Sequence, residues 1–337
     1  MTQIHFETIR LAGNDATLVH VDSGAIKATL CSRGASIMRL ETADREGTFD
    51  NIVLNYLNRD DFYENPKYLG ATTGPYAGRI YPPELTVGGK RVFLEKNFQN
   101  HSHLHGGKHS LARSDFQVEK VDQGVCFTYV PLESAYPGHV CFKATYLFEG
   151  SVMTLRYETL SNQDTFTNVT QHAYFNLSGS IRRNVLNHTL QIPASQVGQL
   201  DANLISEQLI PVEGTVFDFR QPKMLSEAVI PLKETPQMGL DHPFLLDPGK
   251  IVLTDPESGR SLQLETDQDS VIVYSHNFVI EHPVATPLLE NQHLAVCLET
   301  QHYPNDIYFL DKPASVHPKN TWHRQTTKYT FNTVDAT

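Results

Sequence analysis

The chain has 337 residues, of which 40% are hydrophobic and 19% are charged, and it carries a formal net charge of -11 with a sequence pI near 5.8. This negative net charge argues against nucleic acid or an anionic membrane as a partner, and its scatter along the chain indicates solubility rather than function. This length and apolar content suffice for one large β domain with a substantial core.

The four cysteines are too dispersed for a disulfide framework or a zinc motif, and their apolar neighbours predict reduced, buried thiols. They are Cys31, Cys126, Cys141 and Cys297. The N-terminal stretch MTQIHFETIRLAGND lacks the basic and apolar parts of a secretory signal, and no apolar run approaches the length of a membrane span. We therefore expect a cytoplasmic protein. The sequence leaves open whether it is a monomer or a homodimer.

Nearly every periodic segment of the chain predicts a β-strand. Gly88-Gly89 supplies the positive φ angles of a tight turn inside a predicted hairpin over residues 85–94, and Glu149-Gly150-Ser151 joins a second pair of predicted strands. The predicted strands cover residues 26–31, 36–41, 52–56, 116–121, 125–131, 140–148, 152–159, 186–192, 216–219, 244–246, 262–266, 271–275 and 294–300.

Helical periodicity is weak and is confined to residues 60–64 and 224–229. Strands do not alternate with helices, and no repeat occurs at a fixed period. These features predict an all-β fold, an antiparallel sandwich or barrel that forms a single domain over residues 1–337. Two long irregular stretches, 58–83 and 281–293, are expected to help build a binding site.

The stretch 165–179, TFTNVTQHAYFNLSG, predicts a strand that runs into a turn and is the centre of the functional hypothesis. In an extended chain Asn168, Thr170, His172 and Tyr174 share one face, where a core strand would carry apolar residues. A sheltered histidine can exchange a proton near neutral pH, which makes His172 a candidate acid or base. The alternative is a core histidine hydrogen-bonded to backbone.

The segment His101-Ser-His-Leu-His-Gly-Gly107 places three histidines on one face if it is extended. A metal site of the kind found in cupin sandwiches is one interpretation, but no carboxylate lies nearby at ligand spacing. The paired glycines instead predict a backbone that passes close to a ligand, with His105 beside it.

Three further charged residues are candidates for the same site. Arg79 follows a glycine- and threonine-rich loop and offers a rigid fork of donors for sugar or carboxylate oxygens, unless it is a surface arginine. Asp241 precedes a proline-bounded strand and can accept hydroxyl hydrogen bonds, unless it serves turn chemistry alone. Glu299 lies in an apolar strand, where a carboxylate is costly to bury unless it is paired or acts as a base.

Together these motifs resemble those of the aldose 1-epimerases, the galactose mutarotase family. The resemblance extends from about residue 25 to residue 331, with the motifs in the family's order. They are Gly78-Arg79-Ile80, Leu104-His105-Gly106-Gly107, His172-Ala-Tyr-Phe-Asn-Leu-Ser-Gly179, Gly214-Thr-Val-Phe-Asp-Phe-Arg220, Leu240-Asp241-His242-Pro243-Phe244, Tyr274-Ser-His-Asn277 and Leu298-Glu299-Thr-Gln301 followed by Pro304.

The resemblance implies a large antiparallel β-sandwich (a galactose mutarotase-like supersandwich) that holds a free sugar in a cleft on one sheet. By position, Glu299 corresponds to the general base and His172 to the general acid, while Arg79, His105 and Asp241 hold the substrate. It implies neither a metal nor an organic cofactor.

The sequence departs from the family pattern near the expected pocket rim. Pro75 stands for a usual arginine, Gly78 for a usual asparagine, and Ala173 for a residue that is often larger. Tyr81-Pro82-Pro83 and Asn305-Asp306-Ile-Tyr308 also differ from the common pattern. These departures leave open which aldose, such as galactose, glucose or maltose, is preferred.

The expected reaction is the interconversion of the α and β anomers of a free hexose. A base removes the C1 hydroxyl proton while an acid protonates the ring oxygen, the ring opens, and reclosure on the other carbonyl face gives the second anomer. One alternative is a glycoside hydrolase that uses Glu299 and Asp241 as its two carboxyl groups. Another is a carbohydrate-binding module in which Glu299 and His172 have no catalytic task.

Overall fold

A computed structural model describes residues 2–279, 282–289, 291–309 and 313–335. Helices are short within these residues: α1 is Ser226–Val229, α2 is Asp306–Phe309, and single 3₁₀ turns cover Arg59–Phe62, Gly107–His109 and Leu111–Arg113. The strands of the first half are β1 (Gln3–Leu11), β2 (Asn14–Asp22), β3 (Ile26–Cys31), β4 (Ser36–Ala43), β5 (Phe49–Asn51), β6 (Thr72–Thr73), β7 (Arg79–Ile80), β8 (Glu84–Val87), β9 (Lys90–Phe93), β10 (His103–Leu104), β11 (Gln117–Val121), β12 (Gly124–Tyr129), β13 (Val140–Glu149) and β14 (Val152–Ser161).

The strands of the second half include both very short and very long ones. They are β15 (Thr165–Phe166), β16 (Thr170–Gln171), β17 (Tyr174–Phe175), β18 (Thr189–Gln191), β19 (Gln196–Leu200), β20 (Ser206–Pro211), β21 (Lys223–Met224), β22 (Asp241–Leu245), β23 (Ile251–Thr254), β24 (Arg260–Thr266), β25 (Ser270–Tyr274), β26 (Val296–Gln301), β27 (Val316–His317) and β28 (His323–Thr333).

Three large sheets contain most of these strands. One has the order β1-β2-β3-β4-β5, a second β11-β12-β13-β14-β28-β24-β23-β18-β21, and a third β17-β26-β25-β22-β19-β20. Neighbouring strands pair antiparallel within each of them. Antiparallel order lets one face of a sheet pack on the core while the other carries polar groups.

The largest of three apolar clusters among the described residues joins the three sheets. It contains Val19 from the first sheet, Phe127 and Leu262 from the second, and Phe244 and Leu298 from the third. Apolar faces that meet in one continuous core define one domain of packed β layers. The predicted all-β, antiparallel sandwich with a single domain is therefore confirmed.

Strand β26 shows how this packing creates a functional face. Val296 and Leu298 belong to the central core, and the Thr300 hydroxyl lies 2.6 Å from the hydroxyl of Thr327 on β28. Because alternate side chains of a strand point to opposite faces, Cys297 and Glu299 face away from the nine-stranded sheet. This alternation directs the carboxylate toward the other side of the third sheet.

Several predicted strands are confirmed almost to the residue, and the reason is their strong local signal. The 85–94 hairpin is β8 and β9, with φ angles of 55° at Gly88 and 75° at Gly89. The second predicted hairpin is β13 and β14, joined through Gly150. In both, glycines occupy the left-handed region that a tight turn needs.

The stretch 165–179 was predicted as a strand that runs into a turn. The turn is present at residues 177–178, but the strand is instead three two-residue strands (β15, β16 and β17) separated by irregular backbone. The prediction of a strand over 216–219 is wrong, since residues 216–217 form a turn and 218–219 are irregular. The prediction of a strand over 52–56 is also wrong, because β5 ends at Asn51 and only isolated bridges follow, at Val53 and Tyr56. β-branched and aromatic residues indicate a buried, half-extended chain, but they do not show whether a neighbouring strand is available for pairing.

Of the strands with four or more residues, β1, β2, β19, β20, β23 and β28 were not predicted, although β28 spans 11 residues. β28 alternates polar and apolar residues with many threonines, so its hydrophobic signal is diluted on the exposed face. The two weak helix predictions correspond to a 3₁₀ turn at Arg59–Phe62 and to α1.

Candidate active site

Strand register brings His172 and Glu299 together. Tyr174 lies opposite Cys297 where β17 and β26 pair antiparallel. In this antiparallel register, the residue two positions before Tyr174 lies opposite the residue two positions after Cys297. His172 therefore lies next to Glu299. The distance from His172 Nε2 to Glu299 Oε1 is 3.5 Å, and both side chains are buried.

Arg79 and Asp241 form an ion pair at the same site. The Arg79 Nη2 donates to Asp241 Oδ2 at 3.0 Å, and the guanidinium lies 4.6 Å from the centre of the Phe98 ring. Asp241 is the first residue of β22, opposite Tyr274 of β25. The ion pair and the adjacent aromatic ring together restrict the directions that the guanidinium's fork of donors can take.

The paired glycines after His105 bring this residue against the loop that carries Arg79. Gly78 N–H donates to His105 Nδ1 at 3.2 Å, so a neutral His105 carries its proton on Nε2. Gly106 has a φ of 83°, and a Cβ there would lie 2.2 Å from the Gly74 carbonyl oxygen. Only glycine permits this approach, and it delivers His105 as a hydrogen-bond donor at Nε2.

A cavity of about 260 Å³ contains all five predicted site residues in its lining. Aromatic rings enclose His172: the ring centres of Tyr174, His105 and Tyr68 lie 5.0, 5.4 and 5.8 Å from its own. Aromatic faces around a few convergent polar groups are typical of a small-molecule site. Of the two long stretches expected to build the site, 58–83 lines the cavity, whereas the described residues of 281–293 do not.

Burial shifts the pKa values of the central pair in opposite directions. It raises the pKa of Glu299 to about 8, aided by the negative charge of Asp241 and opposed by Arg79. It lowers the pKa of His172 to about 4, although a hydrogen bond to the backbone carbonyl of His172 itself acts the other way. A low-dielectric site disfavours the charged form of each group, so between these values the pair holds one proton.

Burial also governs the two groups that flank the pair. It lowers the pKa of His105 well below its ordinary value, with the nearby His172 and Arg79 acting in the same direction. It raises the pKa of Asp241 even though the Arg79 guanidinium opposes the shift. Neutral His105 can donate to a sugar hydroxyl without adding charge to the cavity.

The three histidines of the 101–107 segment do not converge. His101 stacks on Tyr81 with ring centres 4.0 Å apart, and the His103 ring bonds to the Glu95 carbonyl and to the Tyr136 hydroxyl, both at 2.8 Å. Only His105 reaches the cavity. The cupin-like interpretation is therefore wrong, because the extended conformation it requires is confined to β10.

One other group of possible metal ligands occurs among the described residues. Ligand atoms of His172, Cys297 and Glu299 lie within 4.8 Å of one another. The two ring nitrogens of His172 face different partners, Nδ1 toward Cys297 and Nε2 toward Glu299. A single metal ion would have to displace one of these contacts. The arrangement therefore favours a row of three contacting side chains over a shared set of metal ligands.

The departures from the family pattern fall partly on the cavity. Gly78 and Asn305 line it, whereas Ala173 is buried in the core. A Cβ at Gly78 would lie 3.2 Å from Pro304 Cβ, so this position leaves little room beside Pro304. The Asn305 amide group is bonded to the backbone of Tyr81 at both its oxygen and its nitrogen, and it shapes the rim.

Sequence reasoning did not assign site roles to Tyr68, Phe98 and Tyr274, which all line the cavity. Tyr68 has a φ of 58°, an uncommon value for an aromatic residue, and nothing in its local sequence indicates it. Tyr274 belongs to one of the recognised motifs, so its position in that motif was an available signal. Phe98 lies between two predicted elements and gave none.

The sequence model of the family described as aldose 1-epimerase matches residues 17–330. The chain belongs to the aldose 1-epimerase family. Among its relatives, galactose mutarotase of Sus scrofa is 31% identical over 317 residues, covering 90% of this chain and 92% of the relative. Galactose mutarotase of Mus musculus is 29% identical over 345 residues and covers 98% of both chains.

Solved structures show the same fold as this aldose 1-epimerase family member. The crystal structure of galactose 1-epimerase from Lactobacillus acidophilus NCFM has a TM-score of 0.85 at 21% identity, covering 99% of this chain and 100% of that one. The family resemblance inferred from the motifs is thus confirmed. Membership makes the protein an isomerase that acts on a sugar. No helix in the described part of the chain is long and apolar enough to cross a membrane.

Proposed function

We propose that this aldose 1-epimerase interconverts the anomers of a free hexose with Glu299 as general base and His172 as general acid. The observation that carries the proposal is the 3.5 Å contact between Glu299 Oε1 and His172 Nε2 at the cavity wall. The C1 hydroxyl and the ring oxygen of a pyranose are bonded to the same carbon. Two groups this close can therefore serve both oxygens of one bound sugar.

The proton count of the pair fits ring opening. The reactive form is a carboxylate beside an imidazolium, and it differs from the neutral acid and imidazole only by one proton moved across the contact. When Glu299 takes the C1 hydroxyl proton and His172 gives its proton to the ring oxygen, both side chains become neutral. Burial favours neutral groups, so the site stabilises the ring-opened aldehyde relative to the closed sugar.

Reclosure uses the same groups in reverse. After rotation about C1–C2, His172 recovers the proton from the open-chain hydroxyl while Glu299 returns one to the carbonyl oxygen, which gives the second anomer. The pair ends with the protons it had at the start. Arg79, Asp241 and His105 hold the remaining hydroxyl groups: the carboxylate accepts, and the guanidinium and the His105 Nε2–H donate.

The contacts of Asp241 favour this reaction over glycoside hydrolysis. Its Oδ2 is already committed to the Arg79 guanidinium at 3.0 Å, as expected for a residue that holds and orients. The family assignment favours neither a hydrolase nor a binding module. A binding module would also not need the opposite pKa shifts of Glu299 and His172. The expected cytoplasmic location stays a prediction.

Polarimetry with freshly dissolved α-galactose, α-glucose and maltose tests the function. The expected result is accelerated mutarotation of at least one sugar, at a rate unchanged after dialysis against a chelator. Activity that disappears with the chelator and returns with zinc or manganese would contradict the proposed acid–base mechanism. Release of monosaccharide from a glycoside without mutarotation would favour the hydrolase.

A further inference from the structure

A buried thiol touches the proposed acid on the side away from Glu299. The Cys297 Sγ lies 3.6 Å from His172 Nδ1, within hydrogen-bond range for sulfur. Both side chains are buried, and Cys297 is not among the residues that line the cavity. The proposed mechanism gives this thiol no role, and its contact is with the acid, not with the sugar.

Strand geometry explains why the thiol and the carboxylate meet opposite nitrogens of one ring. Cys297 and Glu299 are two residues apart on β26, so they share a face of the strand. The His172 ring lies along this face, with Nδ1 at the sulfur and Nε2 at the carboxylate. Rotation of the ring would break both contacts at once.

We infer that Cys297 is a positioning residue, whose sulfur holds Nδ1 of His172 so that Nε2 faces Glu299 and the sugar. The inference rests on the proposed function, since it assigns Nε2 as the atom that exchanges the proton. With the Nδ1 proton directed at sulfur, a neutral His172 keeps its lone pair on Nε2. That lone pair is the one that must accept and return a proton.

The thiol suits this task because it stays neutral. Burial, together with the negative charges of Glu299 and Asp241, raises the pKa of Cys297 well above its ordinary value. A protonated thiol is a weak hydrogen-bond acceptor that adds no charge and does not compete for the imidazole proton. A thiolate nucleophile or metal ligand would instead require a lowered pKa.

The test compares Cys297→Ala with Cys31→Ala in otherwise wild-type protein. The two thiols are a matched pair, because both are buried in the same apolar cluster and only Cys297 touches His172. Cys297→Ala is expected to lower kcat about 10- to 100-fold with KM unchanged, since a freed ring leaves its productive orientation. Cys297→Ser should recover part of kcat, because a hydroxyl keeps a lone pair there. Cys31→Ala should keep wild-type kcat.

A second measurement reads the ring directly and does not depend on turnover. In protein labelled with ¹⁵N-histidine, the His172 signals are assigned by their loss in His172→Asn. Wild type is expected to show one tautomer with the proton on Nδ1, and Cys297→Ala a mixture. This readout also separates the two proposals: a protein without mutarotase activity would refute the proposed function, while the tautomer would still report on the contact.

Three results would overturn the inference. One is wild-type kcat in Cys297→Ala, and another is an equal loss of kcat in Cys31→Ala, which would indicate packing alone. The third is an unchanged His172 tautomer in Cys297→Ala, which would show that the histidine's own carbonyl suffices to hold the ring. If Cys297→Ala does not fold, the kcat of Cys297→Ser and the His172 tautomer in that variant decide the question.

Discussion

The hairpin β13–β14 and the segment 165–175, here called the site segment, are neighbours in sequence but opposite in construction. The hairpin pairs in register from Val140 opposite Ser161 to Glu149 opposite Val152, and alternate side chains enter the core. The site segment contains three two-residue strands, each paired with a different partner strand. The hairpin supplies stability, and the site segment supplies His172.

Side-chain hydrogen bonds replace the missing ladder in the site segment. Asn168 donates to the His302 carbonyl and accepts from the His302 N–H, both at 2.9 Å, and the Thr170 hydroxyl donates to the Thr300 carbonyl at 3.0 Å. These contacts fasten the segment alongside β26 without continuous pairing. A segment held in this way can turn a polar side chain into a cavity, because its backbone groups still find partners elsewhere in the chain: the Asn168 N–H donates to the Pro75 carbonyl at 2.8 Å and the His172 N–H to the Ala71 carbonyl at 2.9 Å.

Replacing the proposed base should give the largest effect. Glu299→Gln keeps the size of the side chain but cannot take up the C1 hydroxyl proton, so kcat is expected to fall about 10²- to 10⁴-fold. Sugar affinity should stay close to wild type, since an amide still forms hydrogen bonds. Stopped-flow polarimetry and calorimetry measure the two quantities.

The matched control for that substitution lies at the turn of the hairpin. Glu149→Gln makes the same chemical change at an exposed position and should leave kcat unchanged. Near-normal kcat in Glu299→Gln would make Glu299 a structural strand residue, and the base would have to be sought elsewhere in the cavity.

A core substitution in the hairpin should affect stability but not catalysis. Met153 is fully buried between Phe148 and Tyr329, so Met153→Ala is expected to lower the free energy of unfolding by about 2–5 kcal/mol. Denaturant titration measures this loss, and kcat at 25 °C should match wild type. A large fall in kcat in the folded variant would show that the hairpin also shapes the site.

The same contrast explains what the sequence could predict. Both hairpins were predictable from alternating side chains and glycine turns. Glu299 was recognisable as a site residue because it is the one carboxylate in an apolar strand. The site segment shows its chemistry in His172 but not its broken backbone, because pairing with β6, β26 and β27 depends on residues far along the chain. The β-propensity of a short segment does not show which distant strands will pair with it.

The family resemblance predicted which five charged and histidine residues belong to the cavity. It did not predict the contacts that these residues make. The ion pair between Arg79 and Asp241, the contact of Cys297 with His172 and the position of Tyr68 all join residues far apart in sequence. The contact of Cys297 with His172 depends on the register of β17 with β26, whereas Arg79 on β7 and Tyr68 reach the site from outside the third sheet. Register is set by the whole core, which no single segment encodes.

Asp241→Asn should weaken binding more than turnover. The amide loses the charge that pairs with Arg79, and a hydrogen bond to a charged group contributes about 1.5–3 kcal/mol, or roughly 10- to 150-fold in affinity. The expected result is a higher KM with kcat nearly unchanged, measured by initial rates over a range of sugar concentrations. A loss confined to kcat would instead place Asp241 in the proton transfers.

The pH dependence of kcat/KM should be bell-shaped. Below about pH 4 both groups of the pair are protonated and Glu299 cannot accept a proton; above about pH 8 neither holds a proton to donate. The two limits belong to the pair as a whole. Asp241→Asn should move the alkaline limit to lower pH, because the negative charge of Asp241 helps to raise the pKa of Glu299. An alkaline limit unmoved in that variant would contradict the assignment.

The same shift predicts an effect of pH on stability. The pKa of Glu299 is raised from its ordinary value of 4.5 to about 8, so the folded state favours the protonated acid. The contribution of this group is fully present below about pH 4.5 and is lost as the pH rises through about 8. Glu299→Gln resembles the protonated acid and should gain stability relative to wild type above pH 8, as measured by thermal unfolding. An equal pH dependence of thermal unfolding in the two proteins would show that folding does not raise the pKa of Glu299.

The smallest effect is expected where a single hydrogen bond of the site segment is removed. Thr170→Val preserves shape but loses the bond to the Thr300 carbonyl, a change of about 1 kcal/mol. The matched control is Thr154→Val in the hairpin, where the continuous ladder of β14 holds the backbone. If side-chain bonds position His172, Thr170→Val should lower kcat up to about fivefold at constant KM, because 1.4 kcal/mol corresponds to about tenfold in rate. Thr154→Val should change neither constant. Equal kcat in the two variants would mean that backbone hydrogen bonds fix His172, among them the bond from its N–H to the Ala71 carbonyl. The site segment would then differ from the hairpin in shape only.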